Sequence, residues 1–119
     1  MPYGKLLVLD PTRRTTRPLL AATGLRNPWR VAFAPDGSLV IGDVGQGEIE
    51  EVDVIPAALL HADPPPNLGW SAYEGDRRIE GHDLVGDGPL LGPAWTYDHG
   101  DGRCSITGGV VVPADGPPA

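Results

Sequence analysis

The stretch from Gly24 to Asp53, GLRNPWRVAFAPDGSLVIGDVGQGEIEEVD, constrains the fold more than any other part of this sequence. Its first half places Trp29, Val31 and Phe33 at alternate positions, which predicts a strand with these three side chains on one face. The Pro35-Asp36-Gly37 turn follows, and its glycine can adopt the positive φ that tight hairpins need. This pattern predicts a β-hairpin.

The second half of the stretch continues the same sheet. Residues 39–42 form the return strand, and a glycine-rich corner at residues 43–47 leads into a third strand at residues 50–55. That third strand alternates acidic residues with valines, the period of a half-buried strand: Glu51, Val52, Asp53 and Val54. Three antiparallel strands in a row predict most of one propeller blade or one sheet of a sandwich.

The two loops of this stretch should meet. Arg26 and Asn27 precede the first strand, and residues 43–47 leave the second. An antiparallel hairpin places the entry of one strand beside the exit of the next, so both loops belong to one edge of the sheet. Asp43 is then the acidic residue expected closest to Arg26, and an ion pair between them is the simplest outcome.

Composition supports an all-β chain and excludes two classes of partner. The 17 glycines and 14 prolines among 119 residues interrupt the chain too often for long helices. A net charge of −7 argues against nucleic acid, which needs a basic face. No apolar run is long enough to span a membrane, and no apolar signal-peptide region follows Met1.

Further strands are predicted on both sides of the central stretch, at residues 5–10, 18–22, 94–97 and 105–112. Residues 76–91 read as a long irregular connection. The strand groups recur at about the 40–45 residues of a propeller blade, so the chain should hold two to three blades. A propeller closes with about four to eight blades. We therefore predict a partial β-propeller at residues 1–112, with the rest of the propeller missing, and a frayed tail at residues 113–119.

Five motifs occur in an order and spacing that resemble one family: GLRNPWR, DVGQ, NLGW, YEG and YDHGDGRCSITGG. The chain resembles the soluble glucose/sorbosone dehydrogenases, six-bladed β-propellers that use pyrroloquinoline quinone (PQQ) and calcium. The Hedgehog-interacting proteins share the same propeller and similar motifs. The resemblance implies a fragment of an oxidoreductase acting on a small-molecule sugar, in a periplasmic or secreted protein.

The resemblance assigns quinone contacts to Arg26 and Asn27. The quinone is a tricarboxylate, and a guanidinium binds a carboxylate through two parallel hydrogen bonds while a neighbouring amide adds another. The alternative interpretation is structural: Arg26 pairs with a surface carboxylate, and Asn27 shapes the turn before Pro28.

The resemblance also assigns calcium to the backbone carbonyls of Gly45 and Gln46. Calcium requires about six to eight oxygen ligands, and a glycine-rich corner can turn carbonyls toward an ion. Val44 stands where the best-characterised enzymes carry a glutamine that touches the cofactor, which removes one polar contact. The alternative is a plain turn that closes a blade.

No catalytic residue is assigned, because the family's catalytic histidine lies in a blade that precedes this chain. His99 is expected to make a structural hydrogen bond, and His61 and His82 to be solvated. Cys104 cannot form an internal disulfide as the only cysteine, and a buried free thiol is expected, with Ala72 at the family's partner position.

Three tryptophans at blade-like intervals, Trp29, Trp70 and Trp95, suit packing between blades better than sugar stacking. Three functions remain open: a fragment of a sugar dehydrogenase, a non-catalytic binding propeller, and an inactive truncation.

Overall fold

A computed structural model describes residues 4–12 and 17–116, and within them the chain is all-β. The single helical element is one 3₁₀ turn, Ala57–Leu59, in a segment expected to be loop. The strands are β1 Lys5–Val8, β2 Leu19–Thr23, β3 Pro28–Phe33, β4 Leu39–Asp43, β5 Ile49–Ile55, β6 Tyr73–Glu74, β7 Arg77–Arg78 and β8 Trp95–Asp98. All five strand pairings are antiparallel, so the predicted fold class is confirmed.

Strands β3, β4, β5 and β8 form one four-stranded sheet in that order. The turn between β3 and β4 is the predicted one: Gly37 has a φ of 82°, and its N–H donates to the Ala34 carbonyl over 2.9 Å. β8 joins the far side of β5 after the chain has left the sheet and returned. The strand number and order are those of a propeller blade.

The hairpin of β1 and β2 packs against one face of this sheet. The predicted N-terminal strand therefore has β2 as its partner. Six apolar side chains from the hairpin, the sheet and the segment after residue 66 form the core: Ala22, Leu25, Leu39, Ile41, Ile55 and Leu68. This core lies directly beside the loop that carries Arg26, because Leu25 is one of its members.

The Asn67-Leu68-Gly69-Trp70 segment runs alongside the end of β2. Thr23 N–H donates to the Pro66 carbonyl, and the N–H of Trp70 donates to the Gly24 carbonyl, each over 2.9 Å. Asn67 is fully buried and holds the following turn by accepting the Gly69 N–H. These bonds bring Trp70 next to the Arg26 loop.

The alternation in β5 has the opposite sense to the one expected. Glu51 and Asp53 are buried, whereas Val52 and Val54 are only half-buried. The acidic residues share their face with Ile49 and Ile55, and that face covers the core. Alternation along a strand assigns its residues to two faces, but it does not show which face another part of the protein covers.

The predicted strand at residues 105–112 is absent. This segment instead crosses the other face of the sheet, with the Ile106 side chain over Gly42 and the Gly108 backbone against the Arg30 side chain. Ile106 N–H donates to Glu50 Oε2 over 2.9 Å. An apolar run becomes a strand only beside a free strand edge, and this one passes over a face.

The predicted apolar stripe on β3 is exposed, and a register shift between Pro28 and Arg30 takes Trp29 out of the alternation that places Val31 and Phe33 on one face. Trp29, Val31 and Phe33 are 62%, 49% and 68% accessible, and β3 is an edge strand of the sheet. Packing of these side chains between blades stays a prediction. At the C-terminus, residues 113–116 form a turn, and residues 117–119 of the predicted tail lie outside the described residues.

Candidate functional site

The two loops singled out in the sequence lie side by side, as predicted. Asp43, the last residue of β4, accepts the backbone N–H of Arg26 over 2.8 Å and that of Asn27 over 2.6 Å. The Val44 N–H donates to the Asn27 carbonyl over 3.2 Å. One carboxylate therefore fixes the backbone of the whole Arg26-Asn27 loop.

The expected ion pair between Arg26 and Asp43 takes a different form. The carboxylate of Asp43 binds backbone N–H groups, and the Arg26 guanidinium donates through Nη1 to the Val44 carbonyl over 3.0 Å. The guanidinium also lies over the Trp70 ring, 5.4 Å from its centroid. Two independent contacts thus hold this half-buried cation in place.

Arg26 and Trp70 line an open cleft of about 430 Å³. Lys5 contributes a second cationic side chain, Ser71 a hydroxyl, and Val85 apolar surface. The Ser71 hydroxyl lies 3.2 Å from His82 Nδ1 at the exposed rim. Asn27 is exposed on the same loop and is not among the residues that line the cleft. A guanidinium held beside an aromatic face suits a small anionic ligand, above all a carboxylate.

The glycine-rich corner surrounds a carboxylate oxygen of the chain itself. The backbone N–H groups of Gln46, Gly47, Glu48 and Ile49 all donate to Glu74 Oε1, over 2.8, 2.9, 3.0 and 3.3 Å. Burial acts to raise the pKa of Glu74, but the four N–H groups outweigh it and lower the pKa. On this side the corner is an anion cradle.

Glu74 was not singled out in the sequence, although it lies in the Tyr-Glu-Gly motif. Gly45 is the residue that lets the corner close, because a Cβ there would overlap the Ile49 carbonyl oxygen. The assignment of calcium to the Gly45 and Gln46 carbonyls stays a prediction. The N–H side of the corner, which faces Glu74, suits an anion and not a cation.

Three acidic side chains are buried on one face of the sheet, and the sequence analysis assigned no role to two of them, Glu51 and Asp53. Asp43, Glu51 and Asp53 are all buried, with carboxylate oxygens within 4.8 Å of one another. Burial, and then repulsion from Asp53 and Asp43, raises the pKa of Glu51 to about 8. Burial and the charge of Asp43 raise the pKa of Asp53 to about 7. The pKa of Asp43 is raised too, mainly by burial, against the two N–H bonds that it accepts.

The histidine predicted to be structural is structural. His99 Nε2 lies 2.6 Å from Glu50 Oε1, and Glu50 is fully buried. Cys104 is a free thiol, as predicted, but it is exposed. The expected burial was wrong because it relied on a strand after residue 104 that does not form.

Two curated plant proteins are similar to this chain. The HIPL2 protein of Arabidopsis thaliana is 36% identical over 106 residues, a match that covers 78% of this chain and 14% of the relative. The HIPL1 protein of Arabidopsis thaliana is 34% identical over 106 residues, covering 77% and 14%. The chain resembles the plant HIPL proteins. It spans about one seventh of the length of these relatives.

Two further comparisons give no match: no protein-family profile and no solved structure matches the chain. Within the described parts of the chain, no helix has the length and apolar character needed to cross a membrane.

Proposed function

We propose that this chain is part of a non-catalytic β-propeller module that binds a small carboxylate-bearing ligand in the cleft beside Arg26. Residues 1–112 would be the propeller part. The similarity to HIPL proteins, whose name stands for Hedgehog-interacting protein-like, supports a binding role over a catalytic one. The sequence analysis named two groups of similar proteins, the dehydrogenases and the Hedgehog-interacting proteins. The HIPL similarity favours the second group, which is not defined by an enzymatic activity.

The observation that carries this proposal is the fixed position of the Arg26 guanidinium. Its bond to the Val44 carbonyl and its contact with Trp70 orient it before any ligand arrives. Preorganised side chains lose less entropy on binding, so the group is suited to recognition.

A quinone-dependent sugar dehydrogenase is the second candidate, favoured by the close approach of the two loops. The side chains of Arg26 and Asn27 would hold a carboxylate of the quinone, and their guanidinium and amide N–H donors suit that group. When bound, the quinone supplies the hydride acceptor for sugar oxidation. Val44 offers the cofactor no side-chain hydrogen bond, and this supports the binding role.

Binding and turnover can be measured on the same full-length protein. Isothermal titration calorimetry would use citrate and PQQ as tricarboxylate probes, with wild type, Arg26→Ala, Arg26→Lys and the matched control Arg17→Ala, which removes an exposed arginine. Dye-linked oxidation of aldoses would be followed with added PQQ and calcium.

We expect Arg26→Ala to weaken carboxylate binding by about tenfold to a hundredfold, the loss of one charge-assisted bidentate contact. The affinity of Arg26→Lys for the probe should lie between those of wild type and Arg26→Ala. The affinity of Arg17→Ala should equal that of wild type. Equal binding by wild type and Arg26→Ala would overturn the cleft assignment. Aldose oxidation that needs PQQ and Arg26 would replace the binding role with the second candidate.

A further inference from the structure

The cleft beside Arg26 has a serine hydroxyl on its wall in addition to the guanidinium. Ser71 follows Trp70, whose ring lies under the Arg26 guanidinium, and all three residues line the cleft. The backbone on either side of Ser71 is fixed, because the Trp70 N–H donates to the Gly24 carbonyl over 2.9 Å and Ala72 is fully buried. The cleft therefore offers a ligand both a guanidinium and a hydroxyl that the backbone holds in place.

His82 is the partner of the Ser71 hydroxyl. Its Nδ1 lies 3.2 Å from Ser71 Oγ, and within the described chain the serine side chain makes no other hydrogen bond. The segment that carries His82 is tied to the turn at Ser71, because the Ile79 N–H donates to the Ala72 carbonyl over 2.9 Å and the His82 N–H donates to the Ile79 carbonyl. An unprotonated imidazole nitrogen is a better acceptor than a hydroxyl oxygen, so the favoured arrangement has the Ser71 O–H donating to Nδ1.

A hydroxyl that donates to His82 can still accept a hydrogen bond from a ligand. The serine oxygen carries two lone pairs, so Ser71 can donate to Nδ1 and accept from the cleft side at the same time. The ligand group opposite Ser71 then has to be a donor, which a hydroxyl can be and a ketone oxygen cannot. A ligand ammonium is also a donor, but the Arg26 guanidinium repels it, and no carboxylate is among the described residues that line the cleft.

We propose that the cleft selects hydroxycarboxylic acids, whose carboxylate binds Arg26 and whose hydroxyl donates to Ser71 Oγ. His82 is a positioning residue, because it holds the Ser71 hydroxyl in the orientation that accepts. This selection rests on the proposed function, since it takes Arg26 as the carboxylate site and adds the class of ligand. A site built to bond a ligand hydroxyl discriminates against analogues that lack one, because they leave its polar group without a partner.

A series of dicarboxylates that differ at a single carbon tests the selection. Malate in each enantiomer, succinate, freshly dissolved oxaloacetate and aspartate present a hydroxyl, a hydrogen, a ketone and an ammonium at that carbon. Isothermal titration calorimetry on the full-length protein would compare wild type with Arg26→Ala, Ser71→Ala, His82→Ala and His82→Asn. The asparagine oxygen can take the place of Nδ1 and accept the Ser71 O–H. The matched control is His61→Ala, because His61 is exposed and is not among the residues that line the cleft.

Wild type should bind one enantiomer of malate about three- to tenfold more tightly than succinate, the gain expected from one neutral hydrogen bond. Oxaloacetate and aspartate should bind no more tightly than succinate. Ser71→Ala should bind malate and succinate equally, and both should still bind more tightly than they do to Arg26→Ala. His82→Ala should reduce the preference for malate, whereas His82→Asn and His61→Ala should keep it. Neither Ser71 nor His82 is buried, so these variants should fold as wild type does, which circular dichroism would verify.

The carboxylate site and the hydroxyl selection fail in different ways. If none of the acids binds, or if Arg26→Ala binds succinate as tightly as wild type does, the carboxylate site is wrong and the selection is overturned with it. If succinate binding depends on Arg26 but malate binds no more tightly than succinate, the selection alone is overturned. Tighter binding of oxaloacetate than of malate would show that Ser71 donates into the cleft, which overturns the orientation assigned to its hydroxyl. An unchanged preference for malate in His82→Ala would overturn the role of His82.

Discussion

Glu74 Oε1 lies 2.8 Å from the backbone nitrogen of Gln46, a residue 28 positions away in the sequence. The same oxygen accepts the next three backbone N–H groups along the corner. A single side-chain atom from β6 therefore determines the path of the chain between β4 and β5. The Val44 carbonyl at the start of this corner accepts a hydrogen bond from the Arg26 guanidinium. By fixing the corner, Glu74 therefore also helps to hold Arg26 at the cleft.

Glu74→Gln should destabilise the protein while it keeps the side-chain shape. The amide oxygen can still accept hydrogen bonds, but the loss of charge weakens four bonds that a carboxylate strengthens. We expect the free energy of unfolding to fall by about 1–3 kcal/mol in urea titrations. Glu80→Gln, at an exposed position, is the control and should match wild type. An equal loss in both variants would mean that the cradle adds no stability.

The free energy of unfolding should fall as the pH rises through neutrality. Glu51 and Asp53 have pKa values raised to about 8 and about 7 in the folded chain, whereas both are ordinary carboxyls when unfolded. Between the unfolded and folded pKa values the native state binds more protons, so the free energy of unfolding decreases over that window and levels off above about pH 8. Urea titrations at a series of pH values measure the slope.

Asp53→Asn provides the control for this pH dependence. It removes one titrating group and the repulsion that it exerts on Glu51, so the decrease should become shallower. A free energy of unfolding that is constant from about pH 5 to about pH 9 would show that the two groups do not titrate in this way.

The central hairpin could be predicted because its signals are local. Alternation from Trp29 to Phe33 and the Asp36-Gly37 turn specify β3 and β4 without reference to the rest of the chain. The meeting of the Arg26 loop with Asp43 followed from strand geometry alone. Local pattern and antiparallel connectivity were sufficient for this part of the molecule.

The parts that were mispredicted depend on distant contacts. Residues 105–112 have strand composition, but their position over the sheet face depends on Arg30 and Gly42, far away in sequence. The buried face of β5 is set by which layer covers it, so Glu51 and Asp53 could not be recognised as buried from their spacing. The four hydrogen bonds that Glu74 accepts join residues far apart in the sequence, so they too could not be predicted from local pattern.

His99→Ala should be costly only while residue 50 is a glutamate. Glu50 is fully buried and has His99 as its side-chain partner, 2.6 Å away, with Ile106 N–H as its other partner. Removing the imidazole leaves a buried carboxylate under-compensated, which costs about 3 kcal/mol. A double-mutant cycle with Glu50→Gln should show that His99→Ala is much milder in the Glu50→Gln background. Additive effects of the two substitutions would contradict a coupled pair.

Gly45→Ala should destabilise the protein far more than Gly47→Ala, although the two glycines lie in the same corner. A Cβ on Gly45 would overlap the backbone carbonyl oxygen of Ile49 and lie 3.0 Å from Glu74 Oε1, so the corner could not close around Glu74. At Gly47 no atom of the described residues lies within 4 Å of the added Cβ. We expect Gly45→Ala to lower the free energy of unfolding by more than about 3 kcal/mol, since the overlap is with backbone.

Gly47→Ala should change the same quantity by less than about 1 kcal/mol. Chemical denaturation measures both variants, and hydrogen exchange at the N–H groups of Gln46 and Ile49 tests the mechanism. These N–H groups donate to Glu74 in wild type, so their protection should be lost in Gly45→Ala and retained in Gly47→Ala. If Gly45→Ala kept full protection at these N–H groups, the corner would be able to form without the close approach of Gly45 to Ile49, and the role given to this glycine would be wrong.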